Sequence, residues 1–181
     1  MIRRAGVSRR TFYDQFQGWE EAFRSAYDEG FEHLYAATIS VLPRPGDRGA
    51  SAPLRAALEF AARDDAAARL IFIEALCAGP LMARHYYGSL DRLAPLLLRQ
   101  DNLGPAALAA PATLRERALL GAFAGIVAAR LHAGAGMELP ALAGDLSELF
   151  GGQLAGSTGR SSAEPSSSHA SSSPKKLSTV R

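Results

Sequence analysis

The chain has 181 residues, a hydrophobic fraction of 48% and a formal net charge of +2, which fits one or two small globular domains and excludes a general polyanion-binding body. Its single cysteine, Cys77, rules out an internal disulfide and fits a reducing, cytoplasmic setting. No charge-free apolar run of about 18 residues is present, so no membrane span is expected, and no apolar stretch follows the first arginines as a signal peptide requires. Alanine and leucine dominate while β-branched residues are sparse, so the expected fold class is all-α.

The first ten residues hold Arg3, Arg4, Arg9 and Arg10 and no acid, a local basic cluster suited to phosphate contact. Gly6 is a turn residue. Ser8 is a good N-cap for a short helix from Arg9 to Phe16. On that helix Phe12 and Phe16 lie four apart and share a face, while Arg9, Arg10, Thr11 and Tyr13 fall near the start or on the other sides. An apolar face with arginines, a hydroxyl and a phenol on the remaining sides is how a DNA recognition helix is built. Trp19 to Leu42 reads as a long helix, with Glu20 and Glu21 in its first turn against the dipole. Phe23, Tyr27, Phe31, Leu34, Thr38 and Val41 form its continuous face. Gly30 inside it costs about 1 kcal/mol relative to alanine and is read as a tolerated glycine.

The run Ala5-Gly6-Val7-Ser8-Arg9-Arg10-Thr11-Phe12-Tyr13-Asp14-Gln15-Phe16, followed by Gln17-Gly18-Trp19-Glu20-Glu21-Ala22-Phe23, resembles the DNA-binding signature of TetR-type transcriptional regulators, A-G-V-S-x-x-T-x-Y-x-H-F-x-x-K-E-x-L. Ala5, Gly6, Val7, Ser8, Thr11, Tyr13, Phe16 and Glu20 match it. Gln15 stands in place of the family's histidine and Trp19 in place of its lysine, so a donor remains and a charge is lost. Only five residues precede Gly6, about one helical turn. The resemblance is therefore to a regulator whose first helix, and most of its second, are truncated. It implies that Ser8, Arg9, Arg10, Thr11, Tyr13, Gln15 and Trp19 contact a double-stranded DNA operator. It also implies a partial DNA-binding head over 1–42 and a helical ligand-binding and dimerisation body over 43–156.

Further along, Pro43 to Gly49 is a loop by composition. A helix fits Ala52 to Arg63, and Asp64-Asp65 breaks it and caps the next, Ala66 to Cys77. Leu70-Ile71-Phe72-Ile73 is apolar all round, which predicts a buried helix with Cys77 as a small buried filler. Gly79-Pro80 opens another helix, Leu81 to Arg99, which Pro95 should kink or split. Asp101 to Pro111 reads as a loop. Thr113 and Glu116 form a capping box for a helix reaching His132. Gly134-Ala135-Gly136 ends it, and Pro140 opens the last helix, with Leu139, Leu142, Leu146, Leu149, Phe150 and Leu154 at three-four spacing. Residues 157–181 are serine-rich and expected to be disordered.

His33, His85, His132 and His169 are scattered, and the chain has no HExxH, CxxC or phosphate-loop spacing; an enzyme is not expected, nor a cofactor or metal. The resemblance implies a pocket for a small apolar ligand. Phe72, Glu74, Met82, His85, Tyr86 and Phe123 are the candidate lining, with Phe60 and Leu76 beside them. The last two helices should form an antiparallel hairpin, and in the family the corresponding pair meets its copy in a four-helix dimer interface. That places Leu120, Gly121, Gly125, Val127, Leu142, Leu146, Leu149 and Phe150 between two copies of the chain in a homodimer. The expected function is ligand-responsive repression; the alternative is a dimeric, all-helical small-molecule-binding module that no longer binds DNA.

Overall fold

The structure, a computed structural model, describes residues 9–42, 52–99 and 104–155, with backbone alone for Arg9, Pro105 and 151–155. Ser8, Arg3, Arg4, the loop expected at 43–49, the side chain of Leu154 and the serine-rich segment 157–181 lie outside that description. The described residues are all-helical. In chain order they form α1 (Arg9–Gln15), α2 (Trp19–Ile39), α3 (Ala52–Arg63), α4 (Asp65–Arg69), a π-helical turn (Leu70–Glu74), α5 (Ala75–Cys77), α6 (Pro80–Leu98), α7 (Pro105–Ala109), α8 (Leu114–His132), a 3-10 helix (Gly136–Leu142) and α9 (Ala143–Ala155).

Local chemistry sets most of these boundaries. Gly18 is extended between α1 and α2, and the Gln17 amide donates to the Glu21 carboxylate at 2.6 Å, so an orphan donor at the start of α2 is satisfied by a side chain one turn in. The Asp64 carboxylate accepts from the Ala67 amide at 2.9 Å and caps α4 as expected. Gly79 takes φ +105° before Pro80 starts α6. Thr113 and Glu116 form the reciprocal capping box at the start of α8. Its far end closes with the Ala135 amide on the Arg130 carbonyl, the Gly134 amide on the Leu131 carbonyl and φ +71° at Gly134, a Schellman arrangement.

α3 is central. It packs most extensively against α2 and the 3-10 helix, and also touches α4, α6 and α9. Tyr27, Phe31 and Leu34 of α2, Leu54, Ala57 and Leu58 of α3, Leu93 and Leu96 of α6, and Phe123, Val127 and Leu131 of α8 meet in one buried core. Gly30 is buried within it, and a Cβ there would sit 3.4 Å from that of Ala67. That is ordinary contact, so the glycine marks a close approach of α4 to α2 that still has room for a methyl. Gly30→Ala is expected to raise stability by about 0.5–1 kcal/mol, read as a higher midpoint in urea denaturation.

Several sequence expectations are corrected. α2 stops at Ile39, and Val41 is exposed rather than on the buried face. The 66–77 helix is not buried all round: Ala68, Ile71, Phe72 and Ala75 form its buried stripe, and Leu76 and Cys77 are exposed. Pro95 neither splits α6 nor ends it, because it falls in the last turn, where one missing amide bond leaves the helix intact to Leu98. Part of the expected loop before Pro111 is the short helix α7. The last α-helix starts at Ala143, after a 3-10 helix that contains Pro140. It packs on α3, α6 and the 3-10 helix instead of forming a hairpin along α8.

Arg99 fastens the end of α6 to the start of α8. Its Nε and one Nη meet the two oxygens of Glu116, with the Nη2–Oε2 distance 2.7 Å. Its other bonds reach the carbonyls of Ala107, Ala110 and Pro111 at 2.6, 3.1 and 2.9 Å. The five bonds match the five donors a guanidinium has. Glu116 also accepts from the Thr113 amide and hydroxyl. Hydrogen bonding to Arg99 is the main reason its carboxyl is held down to about 2.

Candidate nucleic-acid interface and ligand grooves

α1 is short, and no described element packs extensively against it. Phe12 and Phe16 are half-buried and face each other, ring centroids 5.6 Å apart. Arg10, Thr11, Asp14 and Gln15 are exposed, as are Tyr13 at 63% and Trp19 at 55%. The expected DNA contacts with described side chains are thus all on the surface. Asp14 sits among them, a carboxylate beside the basic side chains. Trp19 packs edge-on to Phe23, so its ring is partly engaged along α2.

The expected ligand residues do not converge. Phe72 and Tyr86 line one groove, of about 580 Å³, between the π-helical turn, α6 and α8. Leu76, Tyr87, Leu90, Asp91, Arg117, Leu120, Gly121, Ala124 and Gly125 complete most of its lining. Met82 and His85 line a second and wider cleft, of about 1450 Å³, between the start of α2 and α6. Glu74 is exposed and lines neither, because it lies on the outer side of the π-helical turn. Phe123 is fully buried, as Phe60 nearly is, and packs edge-on to Phe72 with centroids 6.0 Å apart; it supports the groove wall from behind.

The first groove is apolar along its length, with charge at one end. There Arg117 donates to Asp91 through Nε at 3.1 Å and Nη2 at 2.8 Å, and that bond is the main reason the arginine is shifted upward. Burial pushes the Tyr86 phenol above its ordinary range, and Tyr27 and Tyr87 add to the shift. The second cleft is more polar. His85 Nε2 lies 2.5 Å from Asp28 Oδ1, and Arg24 Nε lies 3.7 Å from Asp28 Oδ2. Arg92 donates to Glu32 at 2.7 Å and sits over the rings of Phe31 and Tyr35 at 5.2 and 4.8 Å, in cation–π range. Behind His85 the Tyr27 ring is fully buried, and burial pushes its phenol up to about 12.

The residues expected between two copies are mostly inside one. Leu120, Val127, Leu146 and Phe150 are buried in the core, and Leu142 is half-buried against it. The buried stripe of α8 runs Glu116, Leu120, Phe123, Val127, Leu131, and α9 turns Leu146 and Phe150 toward α3 and α6. Gly121, Gly125 and Leu149 remain exposed. A Cβ on either glycine would meet nothing within 4 Å, so the two small residues open the first groove instead of admitting another helix of the same subunit. Tyr87, Leu90, Asp91 and Arg117 are not among the ligand contacts expected from the sequence; Leu90 lies four residues after Tyr86 along α6 and Arg117 four before Gly121 along α8, while Tyr87 and Asp91 carry no such spacing from Tyr86.

No protein-family model, curated protein or solved structure matches this chain. No described helix is long and apolar enough to cross a membrane.

Proposed function

We propose that this chain is a cytoplasmic, homodimeric, ligand-responsive regulator of TetR type, a partial helix-turn-helix head on a ligand-binding body, in which α1 reads duplex DNA. The observation that carries the reading is the exposed set Arg10, Thr11, Tyr13 and Gln15 on a short helix whose phenylalanines face each other. Those side chains suit phosphates and base edges, and the Arg9-Arg10 pair supplies the charge. α1 leads through Gly18 into α2, and α2 packs on α6 and the π-helical turn, two walls of the first groove. A small apolar ligand there acts on the reader only if it prefers one placement of α2 over another. A second reading, a dimeric ligand-binding module without DNA contact, is favoured by the carboxylates of Asp14, Glu20 and Glu21 exposed beside the basic side chains.

The two separate in a mobility-shift titration of the full chain on duplex from its own upstream region. The expected result is retention that weakens steeply with salt and drops by about 1–3 kcal/mol in Arg10→Ala, with helix content unchanged. Binding that is identical in Arg10→Ala, or no salt-sensitive retention at all, refutes the assignment of α1 as reader.

A further inference from the structure

The wall of the first groove carries a polar group that no described residue satisfies. Tyr86 is 3% exposed and forms part of the groove wall. Its hydroxyl makes no hydrogen bond within the described residues and, unlike that of Tyr27, is not sealed from solvent. Buried polar groups in folded proteins almost always have a partner. A phenol with no partner among the described residues, carried by a residue in the wall of a cavity, is a donor placed for an acceptor from outside.

The surroundings define that acceptor. Phe72, Leu90 and Leu120 make the wall apolar. Gly121 and Gly125 leave bare helix backbone along one side, with open space where their side chains would stand, which suits a flat molecule. Arg117 and Asp91 at the end are bonded to each other, so no free charge is left to hold an ion. The volume, about 580 Å³, is within the range of small-molecule sites. Burial keeps the phenol protonated and able to donate.

We propose that this groove binds an uncharged, flat, apolar carbonyl compound whose oxygen accepts a hydrogen bond from Tyr86. A second copy of the chain seated on Gly121 and Gly125 is the competing occupant. It is disfavoured because it would close over the phenol without an acceptor matched to it. Calling the ligand an effector rests on the regulator reading; binding itself does not.

The test uses the full chain without DNA, so a failure of the DNA-binding reading leaves it interpretable. The probes are Prodan, an uncharged naphthyl ketone whose emission shifts to the blue in apolar sites, and the dimethylaminonaphthalene that lacks its carbonyl. Both are expected to bind the wild-type chain. Tyr86→Phe, which keeps the ring, is expected to weaken Prodan about 5- to 10-fold and leave the carbonyl-free probe unchanged. Gly125→Leu fills open space and is expected to exclude both while thermal unfolding stays cooperative. The proposal is overturned if Tyr86→Phe leaves Prodan unaffected or weakens both probes equally. It is also overturned if Gly125→Leu still binds them. A third overturning result is that wild type binds neither probe and Gly125→Leu turns a dimer into a monomer, which assigns the groove to a second copy.

Discussion

Arg99→Ala is expected to lower the unfolding free energy by about 3–5 kcal/mol, the cost of breaking a buried ion pair by removing one partner. The Arg99 side chain is 15% exposed and that of its Glu116 partner 7%. Removing it strands a carboxylate away from water and frees three carbonyls between Ala107 and Pro111. Arg99→Lys should recover little, because an ammonium cannot present five donors in a plane. Urea denaturation at neutral pH gives both values directly, and a loss below about 1 kcal/mol for Arg99→Ala, the level of a surface ion pair, would show the hub to be dispensable.

The same pair predicts how stability depends on acid. The Glu116 carboxyl is held at about 2 against an ordinary value of 4.5. A depressed folded-state value means that the unfolded chain takes up the proton first as pH falls. The stabilisation is therefore complete above about pH 4.5 and disappears as pH drops towards 2, and linkage sets its size at about 3 kcal/mol. Glu116→Gln should be less stable at neutral pH and should flatten this part of the stability curve. A variant that keeps the wild-type slope between pH 5 and 2 would place the acid sensitivity in other carboxyls.

The parts of this fold that were legible in the sequence are those fixed by neighbours along the chain. Asp64, Gly79-Pro80 and the Thr113–Glu116 box declare helix starts because a cap needs only residues within one turn. Which face of a helix is buried was legible where apolar and polar residues alternate clearly, as in α2. It was not legible in the 66–77 segment or in α8, where apolar residues surround the axis and several stripes satisfy the same spacing. Glu74 and Cys77 were placed inward, and Leu120 and Val127 outward, for that reason. Arg99 was not legible at all: three of its acceptors are backbone carbonyls, and a carbonyl carries no residue signature. The candidate site suffered most. Phe72 and Tyr86 belong together only because the π-helical turn and α6 bring them to one groove; His85 leaves it because it lies on another side of α6, and Met82 because it sits one turn nearer the start of that helix, against the cleft beside α2.

That division between groove and core gives the remaining prediction. Phe123→Ala is expected to cost about 3–5 kcal/mol, whereas Glu74→Ala should change stability by no more than about 0.5 kcal/mol. Both residues are among the ligand contacts expected from the sequence. Phe123 is fully enclosed, edge-on to Phe72, in the seam where α8 meets the π-helical turn. Truncating it removes a large apolar surface and leaves a cavity that neighbours on two elements must collapse into. Glu74 is exposed on the far side of that turn, where water replaces whatever is lost. Neither should change probe affinity through direct contact. Phe123→Ala would act on the groove only by letting Phe72 sag away from it, so the smaller change Phe123→Leu, which keeps most of the buried surface, should restore both stability and probe binding together. Restoration of stability without binding would mean that the Phe123 ring itself faces the ligand, and that the wall of the groove lies one layer deeper than the structure places it.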